Sequence, residues 1–419
     1  MSQRWPILGW HSDACILPLY GYGIEVGKEL RLYVRDAQGL EALVAELDGA
    51  PVIGVDTEFM REKTYFPRLC LLQVASEDVV AIVDPLAVRD LSPLWRLLER
   101  PDVVKVLHAG VQDLEIAFQK TGNVPAPVFD TQAAAALVGY PSQLGYGPLI
   151  KELLDVELEK ADSYSDWSVR PLSETQVAYA LDDVRYLPAA YAALKQRLEA
   201  EGRASWLDEE FSRLADPETY RVVPEEQWRR VKRSAQLKRR QLGVLKYVAA
   251  WREAEAQRRD LPKRWVMTDE SLIEVARRQP RDLEALHAIR GVNERVVSQY
   301  GRDIIAAVRI GLEMPESELP SVEKRERIPR DVDAAVDLLS ALVRMRAREH
   351  GVATPQLATR KDLEEFAAGR RKGSPLSEGW RHTMVGRELE DVLDGRLALV
   401  VADGAVTVRF LDEEAAEEV

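Results

Sequence analysis

Cysteine is nearly missing from this 419-residue chain, which carries two, Cys15 and Cys70. Two thiols exclude a disulfide framework and a thiolate zinc site, and Cys70, inside an apolar run, reads as a small buried hydrophobe. Long apolar runs are missing too: none approaches the roughly 18 residues that mark a membrane-crossing helix. The first residues, "MSQRWPILGWHSDACILPLYGYG", lack the basic start and continuous apolar stretch of a secretory signal, so the expected compartment is the cytoplasm. Net positive charge is likewise absent. At -13 the chain is a poor candidate for coating nucleic acid by bulk attraction. The sum hides a local excess, because Trp228 to Lys246 ("WRRVKRSAQLKRRQLGVLK") holds eight lysines or arginines and no acid, whereas the end "LDEEAAEEV" is acidic.

What is present describes a globular protein, with 46% hydrophobic and 30% charged residues. The length predicts two to four domains. Residues 1–31 form a Gly-rich extension without a clear period. Between 32 and 205 strand-like and helix-like segments alternate: "PVIGVDTEF", "LCLLQVAS" and "VVAIVDP" follow one another through short links, and helical runs begin near Val111, Thr131, Gly147 and Glu174. Consecutive strands with short links pair antiparallel before helices intervene, so this is an α/β domain with a mixed sheet. Its last helix is expected to run unbroken from Glu174 to Leu198. A basic linker over 206–237 leads to an all-α unit at 238–316, in which Thr268 and the acid-rich turn behind it mark a helix start. A charged, Pro-containing linker (317–332) precedes a second all-α unit (333–410) that closes with the strand-like "LALVVADGAVTVRF", and an acidic tail (411–419) follows. The two helical units share length and element order, as a diverged internal duplication would.

The strand "PVIGVDTEF" ends in Asp56 and Glu58. Side chains two apart on a strand share a face, so both carboxylates project together. Half-buried like charges stay ionised only when cations compensate them. A further acid, Asp113, opens the helix of "VLHAGVQDLEIAF", where it also suits the helix dipole. In "YALDD", Tyr179 and Asp183 stand at i and i+4 on one helical face, and Asp182 lies roughly 100° around from Asp183. Singly, each has an ordinary structural reading. Four converging carboxylates stabilise a core poorly but hold divalent ions well, and hard oxygen donors suit Mg2+ or Mn2+. Two such ions roughly 4 Å apart activate water and stabilise the leaving oxygen of a displacement at phosphorus.

Together "VIGVDTEFMREKTYFPRLCLLQVAS", "LHAGVQDLEIAF", "VFDTQAAAALVGY" and "KADSYSDWSVRPLSETQVAYALDDVRYL" resemble bacterial ribonuclease D, in the tyrosine-bearing DEDDy subgroup of the DEDD exonuclease superfamily. The resemblance implies a ribonuclease H-like exonuclease domain over 32–205. Asp56 and Glu58 match its first motif, Asp113 its second, and Tyr179 with Asp183 its third. It further implies that Asp56, Glu58, Asp113 and Asp183 hold two divalent cations, Asp56 bridging them, while Tyr179 orients the attacking water. Free tyrosine titrates near pH ~10, which suits positioning better than base chemistry. The implied activity is removal of 5'-mononucleotides from RNA 3' ends, in maturation of tRNA and other stable RNAs. The unit at 238–316 resembles the HRDC domain shared with certain helicases, and 333–410 resembles a diverged copy. Expected partners are RNA, in particular tRNA precursors and other structured RNA with single-stranded 3' ends; no membrane is expected, and the chain is expected to act as a monomer.

Substrate contacts are read from nearby residues. Phe59, Tyr65 and Phe66 offer stacking surfaces for a terminal base, with core packing as the competing role. Gln73 is within reach of a ribose on the same reading. His108, near the site, is either a substrate contact or a satisfied buried histidine. Trp167 and Arg170 are candidates for holding the RNA end, with anchoring of the loop to the core an equal reading for Trp167. Arg229, Arg230, Lys232, Arg233, Lys238, Arg239 and Arg240 are candidate phosphate contacts, or a solvated helix face. Asp130, between a strand and a helix, reads as an N-cap before a metal contact. Three rivals remain open: a DNA exonuclease, a catalytically silent nucleic-acid-binding scaffold, and a small-molecule phosphodiesterase, the last disfavoured by the appended helical units.

Overall fold

The computed structural model describes residues 24–26, 29–158, 165–321 and 332–411. Most of the expected extension at 1–31, the middle of the 317–332 linker and nearly all of the acidic tail lie outside them. Seven strands form one sheet: β1 (Ile24–Val26), β2 (Glu29–Val34), β3 (Val52–Met60), β4 (Arg68–Ala75), β5 (Val79–Val83), β6 (Val104–Leu107) and β7 (Val128–Asp130), in the order β1-β2-β5-β4-β3-β6-β7. β3, β4 and β5 make the expected antiparallel meander. β2 joins β5 in parallel, β6 joins β3 in parallel and β7 joins β6 in parallel, so the sheet is mixed. The two strands β1 and β2 start inside the stretch expected to be an extension.

Alternation along β3 sorts its side chains to two faces. Ile53 and Val55 enter a core built with Leu40, Leu43, Leu94, Leu98 and Leu114 from helices Ala37–Leu47, Ser92–Leu98 and Val111–Thr121. Gly54, Asp56 and Glu58 alternate with them and face the helices of the third motif. There the expected long helix is two, Glu174–Arg185 and Leu187–Ala200, hinged at Tyr186. Pro188 is the reason: it has no N–H to give and its ring clashes with a carbonyl four residues earlier. Ser173 starts the first of the pair through a capping box with Gln176.

The region expected to be a basic linker is structured. Helix Asp208–Ala215 packs on the α/β domain through Leu214, and residues 224–237 pack on the first helical unit, with Trp228, Val231 and Leu237 in its core. Apolar residues interleaved with the arginines turn that segment inward. The first helical unit contains Arg239–Arg259, Lys263–Val266, Asp269–Arg278, Leu283–His287 and Glu294–Glu313. The second, from Val332–Glu349 through Arg387–Leu393, ends in the hairpin β8 (Leu397–Ala402) and β9 (Ala405–Phe410). Its core, including Leu339, Leu342 and Phe366, is continuous with Ala135, Leu137, Leu187 and Leu194 of the α/β domain.

Candidate active site

The third-motif helix reaches β3 because Gly54 has no side chain. A methyl there would lie 2.8 Å from Leu187 Cβ and 3.1 Å from the Val184 carbonyl oxygen. The hinge itself is held by Tyr146, whose hydroxyl donates to the Asp182 carbonyl (3.2 Å) and accepts from the Tyr186 N–H (3.3 Å). Asp183 is thereby set against the carboxylates of β3. One carboxylate oxygen each from Asp56, Glu58 and Asp183 lies within 4.8 Å of the others.

Asp113 lies outside this trio yet close enough to repel Asp56. Its Oδ1 accepts a short hydrogen bond from the Thr57 hydroxyl, leaving Oδ2 outside that bond. Thr57 alternates with Asp56 and Glu58 and so faces the helix that carries Asp113. The turn before that helix is clamped by Asp130, which accepts from the N–H groups of Ala109 (3.2 Å) and Gly110 (2.9 Å) while capping Thr131–Leu137 through Gln132 and Ala133. Asp130 is therefore a cap twice over. On the far side, the β3–β4 register pairs Asp56 with Gln73, whose amide approaches Asp56 Oδ2 at 3.5 Å.

The electrostatics are those of crowded, half-buried acid. Burial, then repulsion from Asp113, Asp183 and Glu58, holds the Asp56 carboxyl well above the carboxylate range. Burial followed by Asp183 and Asp113 pushes Glu58 up to about 8. Burial raises Asp183 to about 7 against a hydrogen bond from Tyr179, and Asp113 to about 6 against the bond from Thr57. The Tyr179 hydroxyl is driven upward by burial, then by Asp183 and Glu58. Among the described residues no arginine or lysine is ion-paired with any of the four acids. Such a set lacks the positive charge that would let it ionise, and its donors are all hard oxygens, which fits divalent cations of the Mg2+ and Mn2+ type.

Several expected substrate contacts are occupied by structural work. Arg170 pairs with Asp84 through Nε (2.6 Å) and Nη2 (2.9 Å) and donates to the carbonyls of Trp167, Val169 and Cys70. Trp167 is 5% exposed, packed with Cys70, Leu71 and Ala180, its ring 6.0 Å from that of Tyr179. Both nitrogens of His108 are engaged, Nδ1 with Thr131 Oγ1 (2.9 Å) and Nε2 with the Leu144 carbonyl (3.1 Å). Burial lowers its pKa, and because Nε2 faces a carbonyl the neutral ring carries its proton there. Phe59, at a register shift after Glu58, packs half-buried against the core on Val55's side of the sheet. Tyr65 is tied to the first helical unit, while Phe66 keeps 38% of its surface exposed.

The basic run divides. Arg239 donates to the Glu316 and Leu319 carbonyls and Arg240 to those of Leu312 and Met314, so both secure the chain after helix Glu294–Glu313. Arg229 lies over the Trp228 ring and pairs with Glu226, an acid just outside the run. Arg230, Lys232, Arg233 and Lys238 are exposed. Thr57, Gly54 and Tyr146 are site residues that spacing alone does not single out, since a threonine, a glycine and a tyrosine in apolar segments read as filler.

Known proteins place this geometry. A 3'-5' exonuclease family model matches residues 32–199, and an HRDC domain model matches residues 241–308, inside the first helical unit. The chain is 43% identical to the ribonuclease D of Gluconacetobacter diazotrophicus over 379 residues, 90% of this chain and 96% of that protein. It is 41% identical to the ribonuclease D of Sphingobium indicum over 375 residues, 88% of this chain and 96% of the relative. Among solved structures, Escherichia coli RNase D, an exoribonuclease involved in structured RNA processing, is similar with a TM-score of 0.73 at 31% identity, covering 87% of this chain and 98% of that one. With a mixed-sheet exonuclease domain, a cluster of acids at β3 and relatives aligned along nine-tenths of its length, the chain belongs to the ribonuclease D family.

Proposed function

We propose that the chain is a 3'-to-5' exoribonuclease that releases 5'-mononucleotides by metal-assisted hydrolysis, with Asp56, Glu58, Asp113, Tyr179 and Asp183 as its working residues. The observation that carries this reading is the trio of half-buried carboxylates within 4.8 Å and without a cationic partner among the described residues. Asp56, Glu58 and Asp183 would hold one ion, and Asp113 with Asp56 would hold a second. Such ions supply charge for the phosphate and lower the pKa of a bound water. Tyr179, one turn before Asp183 on the same helix and kept protonated by its surroundings, would hold and orient an attacking water rather than take its proton.

Single-stranded RNA 3' ends, as in tRNA precursors, are the substrates that this reading favours, with the chain acting as a monomer in the cytoplasm. No helix among the described residues is long and apolar enough to cross a membrane. The second helical unit is read as a diverged HRDC-like copy, and the exposed Arg229, Arg230, Lys232 and Arg233 as phosphate contacts upstream of the cleaved end. Digestion of a 5'-labelled tRNA precursor with Mg2+ tests the proposal: the native chain shortens it stepwise from the 3' end and Asp56→Asn does not. A matched DNA strand cut as fast as RNA would transfer the activity to the DNA reading, and equal digestion by the variant would remove Asp56 from the chemistry.

A further inference from the structure

The hairpin that continues β3 beyond Glu58 is anchored at both ends by other elements. At its base Arg61 forms a two-bond pair with Glu115 (2.8 and 3.0 Å), on the helix that carries Asp113. At its tip the N–H groups of Tyr65 and Phe66 both donate to Asp260 Oδ1 (3.0 and 2.9 Å). The Tyr65 hydroxyl donates to Glu253 Oε1 and accepts from Gln257 Nε2 (3.0 Å). Glu253 is completely buried, and Lys263 Nζ stands 3.2 Å from its other oxygen. Glu253, Gln257 and Asp260 belong to helix Arg239–Arg259 and its C-cap, in the HRDC-type unit.

The β3–β4 register shifts between Glu58, paired with Leu71, and Phe59, paired with Leu69, so β4 carries one unpaired residue, Cys70, opposite the second carboxylate and the ladder is interrupted there. A bulge interrupts the ladder and re-aims the side chains beside it, so beyond Glu58 the sheet alone holds β3 less firmly and the hairpin depends on its other anchors. We propose that the HRDC-type unit, through Asp260 and the Tyr65–Glu253 bond, fixes the hairpin tip and with it the aim of Glu58; Tyr65 and Asp260 are positioning residues of the reaction. The helical unit then serves the catalytic step itself, apart from any grip on RNA. This rests on the exonuclease reading above.

Asp260 offers a clean test because it sits at φ 50°, the left-handed conformation that glycine adopts freely. Asp260→Gly therefore removes the acceptor without backbone penalty, and Asp260→Asn keeps an acceptor oxygen and tolerates the same conformation. Steady-state cleavage of a single-stranded RNA and hydrogen–deuterium exchange over residues 61–67 are measured on the full chain. In Asp260→Gly, exchange at Tyr65 and Phe66 rises, and kcat falls roughly tenfold with KM unchanged, as misplacement of a catalytic group predicts. Asp260→Asn restores both. A loosened hairpin with unchanged kcat, or a loss confined to KM, overturns the positioning role while the exonuclease reading stands. A native chain without RNA-shortening activity overturns that reading and this role with it.

Discussion

Asp56 sits where a carboxylate is hardest to ionise, half-buried and crowded by three others, and this makes the metal-free protein dependent on pH in an unusual direction. Glu58 is raised from 4.5 to about 8, Asp183 from 3.8 to about 7 and Asp113 from 3.8 to about 6. Between these ordinary and raised values the folded chain holds protons that the unfolded chain has released. Stability thus declines as pH rises across that window. Asp84, held low by Arg170 despite its burial, acts only below the ordinary carboxylate range and cannot reverse the trend. Thermal melts in chelator should give a lower Tm at pH 8 than at pH 5, and Mg2+ should raise Tm more at pH 8, because binding needs the ionised acids. Asp183→Asn should flatten the metal-free trend; a chelated chain that gains stability between those pH values would contradict the proposed crowding. Thr57 makes a second prediction at this scale. Thr57→Val removes the hydroxyl donor of the half-buried Asp113 carboxylate, which costs about 1 kcal/mol in urea denaturation, and it releases Asp113 from its present aim, so exonuclease rate should fall as well.

Gly54, the hinge at Tyr186 and Tyr146 form one device that brings Asp183 to β3. Gly54→Ala places a methyl 2.8 Å from Leu187 Cβ and 3.1 Å from the Val184 carbonyl, neither of them a flexible side-chain end. Overpacking of this kind costs about 1–3 kcal/mol, and relief requires the hinge to move away from β3 with Asp183 on it. Urea denaturation should show the loss, and activity at saturating Mg2+ should fall by more than the stability change explains. The acids of this site were legible in the sequence because the strand period of two and the helix spacing of four place carboxylates on faces directly. The hinge was not. Buried Val184, Leu187, Ala190, Leu194 and Leu198 carry the helical period straight through Pro188, and a continuing apolar stripe masked the break that proline makes. Thr57 was hidden for a related reason, since its value depends on which helix crosses the opposite face of the sheet. The burial of Trp167 fits its alternative role as a loop anchor, whereas the pairing of Arg170 was not legible, because a loop rich in polar and aromatic residues looks solvent-facing until Asp84 is seen to be its anchor.

Over the whole molecule, the boundaries between units follow burial more closely than composition. Residues 224–237 looked like a charged linker, yet Trp228, Val231 and Leu237 make them part of the first helical unit. The second helical unit is joined to the α/β domain still more tightly. The Trp206 and Trp380 rings stack at 4.4 Å, the Ala353 N–H donates to the Ala136 carbonyl (2.8 Å), and Arg203 bridges the carbonyls of Leu137 (2.6 Å) and His350 (2.5 Å). Gly139 and Gly351 meet where a Cβ on the former would lie 3.3 Å from the latter's carbonyl oxygen. Two units with one continuous apolar core unfold together, because neither can keep its side buried alone. A chain ending at residue 321 would expose helix Thr131–Leu137 and its neighbours to water, and its exonuclease domain should melt at least roughly 5 °C lower than in the full chain, by the usual scaling of Tm with lost stability. Trp380→Ala in the full chain should lower the same transition without splitting it in two. Calorimetry that resolves separate transitions for the α/β domain and residues 332–411, or a shortened chain with an unaltered Tm, would show that the shared core contributes nothing to holding Asp183 against β3.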